Sequence, residues 1–129
     1  MEEGWLEAGV AAELARAYAE HQREFLESLA RLLENSLPGQ VAVVRRGSLL
    51  SREKRVAELS VQLGDERYTL ADRGKGPLQA QRSLSKRGIV LRTEQLPVED
   101  WIAEVGAALD EYARKNEAAA AAMRRFFTT

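Results

Sequence analysis

The sequence predicts an α+β domain in which two long amphipathic helices cover one face of a curved antiparallel meander of four or five strands. Three observations carry that prediction. Apolar residues recur every three or four positions in the first and last thirds of the chain, which is the spacing of one helix face. Between them the period drops to two, and β-branched residues and turn signals take over. The length, 129 residues, is that of one domain, enough to bury roughly two-thirds of the unfolded surface in a single core.

The first helix is expected over about 5–35 from this periodicity. Leu14, Tyr18, His21, Phe25, Leu29 and Leu32 make its stripe, widened by Leu26 and Leu33, while Glu13, Arg16, Glu20, Arg23, Glu24, Glu27 and Arg31 lie outside it. Asn35, Ser36, Pro38 and Gly39 stop the helix and begin a connection.

The sheet is expected over about 41–92 from alternation and turn chemistry. Val41, Val43 and Val44 open it. In the next strand Ala57, Leu59, Val61 and Leu63 share the apolar face, and Glu58, Ser60 and Gln62 share the other. Gly64-Asp65 then predicts a tight hairpin into Arg67–Ala71, with Tyr68 and Leu70 pointing one way. Asp72, Gly74, Gly76 and Pro77 write a further turn before Leu78, Ala80, Arg82 and Leu84 alternate. Ser85–Gly88 make another turn, and Ile89–Leu91 give a last short strand.

The final helix is expected over about 97–127. Pro97 suits a first helical turn, and Glu99 and Asp100 suit the positive end of the helix dipole. Trp101, Ile102, Val105, Leu109, Tyr112, Asn116, Ala119, Met123 and Phe126 continue one stripe. A helix of about 30 residues spans about 45 Å, whereas five strands are only about 24 Å across. The terminal turns, Ala118–Phe127, are therefore expected to project or to pack on another surface. Leu109, Tyr112, Met123, Phe126 and Phe127 become the candidate partner-binding residues.

The near-zero net charge hides two segments of opposite sign. Residues 45–92 hold twelve Lys/Arg against five Asp/Glu, and the flanks hold seven against fifteen. Either the acidic flanks neutralise the basic middle or the middle faces an anionic partner. For the second case the candidate residues are Arg45, Arg46, Arg52, Lys54 and Arg55, around a loop with Leu49 and Leu50 at its tip. Tyr68 is the only aromatic residue in the basic segment, which is thin provision for stacking nucleobases.

The residue inventory argues against catalysis. With no cysteine and one histidine, zinc chemistry lacks its ligands, and no cofactor or metal is expected. His21 falls between Tyr18 and Phe25 in the helical stripe and reads as a structural histidine at the edge of the core. No serine sits in a nucleophile elbow; Ser83 and Ser85 near Lys86 read as turn residues. The run Asp72-Arg73-Gly74-Lys75-Gly76-Pro77 has glycines and cations but not P-loop spacing. Adjacent carboxylates at Glu99-Asp100 and Asp110-Glu111 point about 100° apart on a helix, so they do not converge on one substrate atom.

No apolar run approaches 18 residues, and Glu2 and Glu3 stand where a secretory leader would be basic, so a cytoplasmic protein without a membrane span is expected. Fifteen Arg against four Lys, with twenty Ala, suggest a GC-rich bacterial genome. The order helix, antiparallel meander, helix resembles that of small nucleoid-associated proteins that bind DNA as dimers, and more loosely that of bacterial secretion chaperones. That resemblance is one of element order and carries no site residue. The expected function is non-enzymatic protein interaction, as a dimeric adaptor, chaperone-like factor or assembly component. The alternative is binding of nucleic acid or another anionic surface.

Overall fold

A computed structural model of the chain describes residues 9–47, 54–74 and 76–128, apart from the side chains of Arg23 and residues 126–128. The architecture is α+β, with four helices and a five-stranded antiparallel sheet. In order these are α1 (Val10–Glu20), α2 (Gln22–Ser36), β1 (Val41–Arg46), β2 (Arg55–Leu63), β3 (Glu66–Ala71), β4 (Gln79–Lys86), β5 (Ile89–Leu96), α3 (Val98–Lys115) and α4 (Glu117–Thr128).

The sheet is a simple meander in the order β1-β2-β3-β4-β5. Its turns follow from local chemistry. Gly64 has φ 65° and Asp65 does not share the positive sign, the pattern of a two-residue II′ turn closing Leu63 onto Glu66. Arg87 and Gly88 both have positive φ, 54° and 81°, the pattern of a I′ turn closing Lys86 onto Ile89.

The alternation places Leu59, Val61, Tyr68, Leu70 and Ala80 toward the helices and Ser60, Thr69, Gln81 and Ser83 away from them. One correction concerns β2. The pairing shifts between Val44 and Arg45 so that Ala57 is an extra residue, and Val56 takes the buried position expected for Ala57. A bulge reverses the side-chain phase on either side of it, which alternation counted through β2 does not register. The last strand also runs to Leu96, beyond the expected end near Arg92. Its second half, Arg92-Thr93-Glu94-Gln95, is polar, so backbone pairing with β4 defines it and hydrophobic pattern does not.

Both long helices are broken in two. The first breaks at His21, whose backbone leaves the helical region at φ −138° and ψ 56°. The second breaks at Asn116, extended at φ −140° and ψ 112°. Asn116 Oδ1 accepts the Ala119 N–H at 2.9 Å, so this residue caps α4 in the manner of a helix start. The break turns α4 back onto α2 and α3. The terminal turns therefore do not project, as one continuous 30-residue helix would require. α2 lies over β1 and β2, α3 over β4, and α1 packs along α3. Phe25, Leu29, Leu33, Leu59, Leu70, Trp101, Ile102, Val105, Leu109 and Met123 belong to the one cluster that these elements bury together.

The backbones of α1 and α3 approach each other closely at Gly106. A Cβ at Gly106 would stand 2.4 Å from the Ala11 Cα and 2.6 Å from its N, so only glycine allows these two backbones to meet.

Candidate interaction site

The seam proposed for a partner is occupied by the chain itself. Leu109 and Met123 are 0% exposed, and Tyr112 is half-buried with its hydroxyl accepting from Asn116 Nδ2 at 3.3 Å. Phe126 and Phe127 stand in the last turns of α4, but their side chains lie outside the described residues. The stripe from Val105 to Met123 is covered because the break at Asn116 folds α4 against α2.

Three cations of the basic segment, Arg45, Arg82 and Arg92, are paired with carboxylates. Arg45 reaches across from β1 to Glu27 on α2 at 3.1 Å, and Glu27 also accepts the Val56 N–H at 2.8 Å beside the bulge. Burial pushes the Glu27 carboxyl upward, but the Val56 N–H and the Arg45 cation outweigh it and hold the group below its ordinary value. Arg82, in line with Ala80 along β4, lies on the helix side, between Glu104 of α3 at 2.6 Å, Glu94 of β5 at 3.1 Å and Glu66 of β3 at 3.4 Å. The reason is parity: Arg82 pairs with Tyr68, which faces inward, so it shares that face. Its hydrogen bond to Glu104 holds the guanidinium above its ordinary value. Tyr68 donates its hydroxyl to the same Glu104 oxygen at 2.9 Å. Burial first, and then that bond and the Glu104 charge, push the phenol up to about 12. Arg92 closes the chain of charges on Glu94 at 3.0 Å.

Three cations with no carboxylate partner among the described residues stand together where β1 and β2 meet their connecting loop. Arg46 and Arg55 are directly opposed across the two strands, and Lys54 precedes them; all three are exposed. Arg52, Leu49 and Leu50 lie outside the described residues.

The other sequence candidates resolve into ordinary structure. His21 is not at the core edge: its side chain is 63% exposed, 4.0 Å from Glu20, and it is the backbone of this residue that breaks the helix. It borders an open groove of about 480 Å³ lined also by Glu13, Arg16, Glu24, Phe25 and Arg31. In the Asp72–Pro77 turn, Asp72 accepts the Gly74 N–H at 2.8 Å and Arg73 binds Gln79 at 3.0 Å, so the turn spends its polar groups on itself; Lys75 lies outside the described residues. Ser83 shares a hydrogen bond with Thr93 at 3.1 Å. Glu99 and Asp100 are exposed in the first turn of α3. Asp110 and Glu111 pair separately with Arg114 and Lys115. Among the described residues no group of three or more His, Cys, Asp and Glu is placed to hold a metal ion, and no helix is long and apolar enough to cross a membrane.

What sequence reasoning missed is the end of the sheet. Ile89, Val90 and Leu91, expected to form a short last strand, are 64%, 56% and 58% exposed. They open β5, and the strand order ends there, so its outer edge has no strand beside it among the described residues. Most surfaces scatter exposed apolar residues singly, whereas here three in a row stand on an open edge. Lys86, Arg87 and Arg92 flank them. A signal was present in the sequence, because an apolar triplet followed by a polar stretch does not alternate as a strand covered on one face does.

Comparison with known protein families, with curated proteins and with solved structures finds no match to this chain.

Proposed function

We propose that the chain is a non-enzymatic protein-interaction module, an adaptor, chaperone-like factor or assembly component of a bacterial cytoplasm, that works as a homo-oligomer. The observation that carries this reading is the exposed apolar run Ile89–Leu91 on the open edge of β5. An edge strand offers unpaired N–H and C=O groups for main-chain hydrogen bonds, and the apolar residues add burial, which together make the β-augmentation mode of recognition. The buried stripe of α3 and α4 then serves as scaffold. The absence of converging acid-base groups in the described residues fits binding better than chemistry.

The test is capture from extract at moderate salt, with and without nuclease, using the protein and its Val90→Lys and Leu91→Lys variants. Proteins retained after nuclease and lost with either variant support the reading, provided circular dichroism stays unchanged. The same proteins retained by both variants would overturn it.

A second reading is favoured by one observation, the facing pair Arg46 and Arg55 with Lys54 beside it. Like charges directly opposed on a sheet are destabilising, and a phosphate backbone would relieve them. If this tip contacts phosphates, the logarithm of DNA affinity should fall linearly with the logarithm of salt, with a slope near −0.9 per phosphate neutralised.

A further inference from the structure

We propose that the occupant of the β5 edge is a second copy of the same chain, paired antiparallel about a twofold axis at Thr93. The proposal rests on the reading of that edge as the interaction surface and names its partner, register and geometry.

The available length of edge is defined on both sides. The pairing of β4 with β5 shifts between Leu84 and Ser85 and leaves Leu91 as an extra residue; from Arg92 to Leu96 it is regular. Pro97 follows and has no N–H to donate, so regular pairing on the outer edge can use only Arg92–Leu96. A bulge also bends its strand and increases the local twist, which confines a straight partner to the same stretch.

Charge chooses the register within it. Arg92 and Glu94 flank Thr93, share the inner face of the strand and pair with each other at 3.0 Å within the chain, so two copies would join two such pairs into one cluster of alternating charge. A twofold axis at Thr93 sets Arg92 of each copy opposite Glu94 of the other, giving two opposite-charge cross-strand pairs on one face. Moving the axis to Glu94 sets two carboxylates against each other. The inner row that already runs Tyr68, Arg82, Glu94 across three strands would continue into the second copy with Arg92, so the signs alternate across the junction. The opposite edge has no such match. β1 carries charges of one sign, Arg45 and Arg46, and so offers no opposite-charge pair to a second copy.

The apolar run then finds its cover. In this register the regular pairing covers Arg92–Glu94 of both copies, and beyond it the bulged end Ile89–Leu91 of each copy lies along Gln95 and Leu96 of the other. A contact of this kind is isologous, because each residue pair occurs twice, and it closes as a dimer once the β5 edge of both copies is paired.

The chain has no cysteine, which makes a single-site test clean. Antiparallel neighbours on the twofold axis have Cα atoms about 4.5–5.5 Å apart, within the range that a disulfide spans. Thr93→Cys should therefore yield a disulfide-linked dimer on mild oxidation, read on a non-reducing gel, while Thr69→Cys, in the middle of the outer face, should stay a single chain. Light scattering of the unmodified protein should give a dimer. Arg92→Glu should weaken self-association about tenfold, since two attractive pairs become repulsive. A protein that is monomeric up to its solubility limit, with no crosslink at Thr93, would overturn the self-pairing. If Val90→Lys still abolished capture of another protein, the edge itself would stand as the interaction surface. Faster crosslinking of Leu91→Cys than of Thr93→Cys would overturn the register. A dimer indifferent to Arg92→Glu and to Val90→Lys would overturn both the register and the edge.

Discussion

Replacing Gly106 with alanine tests whether backbone contact between α1 and α3 sets the helical layer. Alone, the change should help, because alanine is about 1 kcal/mol better than glycine in a helix interior. The structure reverses that sign. The new Cβ would stand 2.4 Å from the Ala11 Cα, 2.6 Å from its N and 2.7 Å from its Cβ. Carbon–carbon contacts are comfortable at about 3.5–4.0 Å, so the two helices must part by about 1 Å. The contacts around the crossing, among them Val10, Leu14, Ile102, Val105 and Leu109, all at 0–1% exposure, then lose part of their dispersion attraction. Overpacking of this kind costs about 1–3 kcal/mol, and after the propensity gain a net loss of about 1–2 kcal/mol is expected. For a domain of this size that is a fall in Tm of about 3–8 °C. Thermal unfolding followed by circular dichroism measures it. Ala11→Gly in the same background should rescue little, because the two nearest atoms belong to the Ala11 backbone. A Gly106→Ala protein as stable as the parent would refute the argument, and full rescue by Ala11→Gly would show that side-chain crowding alone decides the site.

Other consequences are equally direct. Glu27→Gln should cost about 1 kcal/mol at neutral pH, allowing for the 32% of the Glu27 side chain that water reaches. Because folding lowers the Glu27 pKa, its contribution is present above the ordinary carboxylate value and is lost as pH falls through the folded value. The stability difference between parent and variant should therefore shrink in acid. For Tyr68 the sign is opposite: with the folded pKa at about 12 and the unfolded one near 10, its contribution holds below about pH 10 and is lost as pH rises through 12. Phenolate absorbance developing near pH 12 should vanish in Tyr68→Phe, and a Tyr68 signal at the ordinary value would contradict the buried bond to Glu104. Asn116→Ala should cost about 1 kcal/mol through loss of the α4 cap; an unchanged Tm would mean that packing alone holds the fold-back. Arg55→Glu should raise stability by about 0.5 kcal/mol by pairing with Arg46, and a fall would mean that the two arginines are already neutralised.

Much of the architecture was readable in the chain. The meander up to the start of β5 follows from alternation bounded by Gly64-Asp65, Asp72–Pro77 and Arg87-Gly88, because turn conformation and side-chain parity are local properties. Parity also carried the inward direction of Tyr68, Leu70 and Ala80. The Asn116 break was partly legible. Arg114 and Lys115 end one helix, and Asn116-Glu117 begins another with a capping side chain and an acidic first turn, yet periodicity ran through it. His21 gave no comparable signal. It is neither proline nor glycine and lacks a side-chain cap, and the chain turns there so that α1 can meet α3 while α2 meets the sheet.

The sequence by itself determined the order of elements, the fold class and the chemistry available, since those rest on neighbours a few residues apart and on which side chains exist. Tertiary structure decided which surfaces remain. It folded α4 over the stripe that had looked free and drew Arg45 and Arg82 onto Glu27 and Glu104. It left Ile89–Leu91 at an open edge, because exposure and charge pairing depend on groups brought together from distant parts of the chain, whose separations no local pattern encodes.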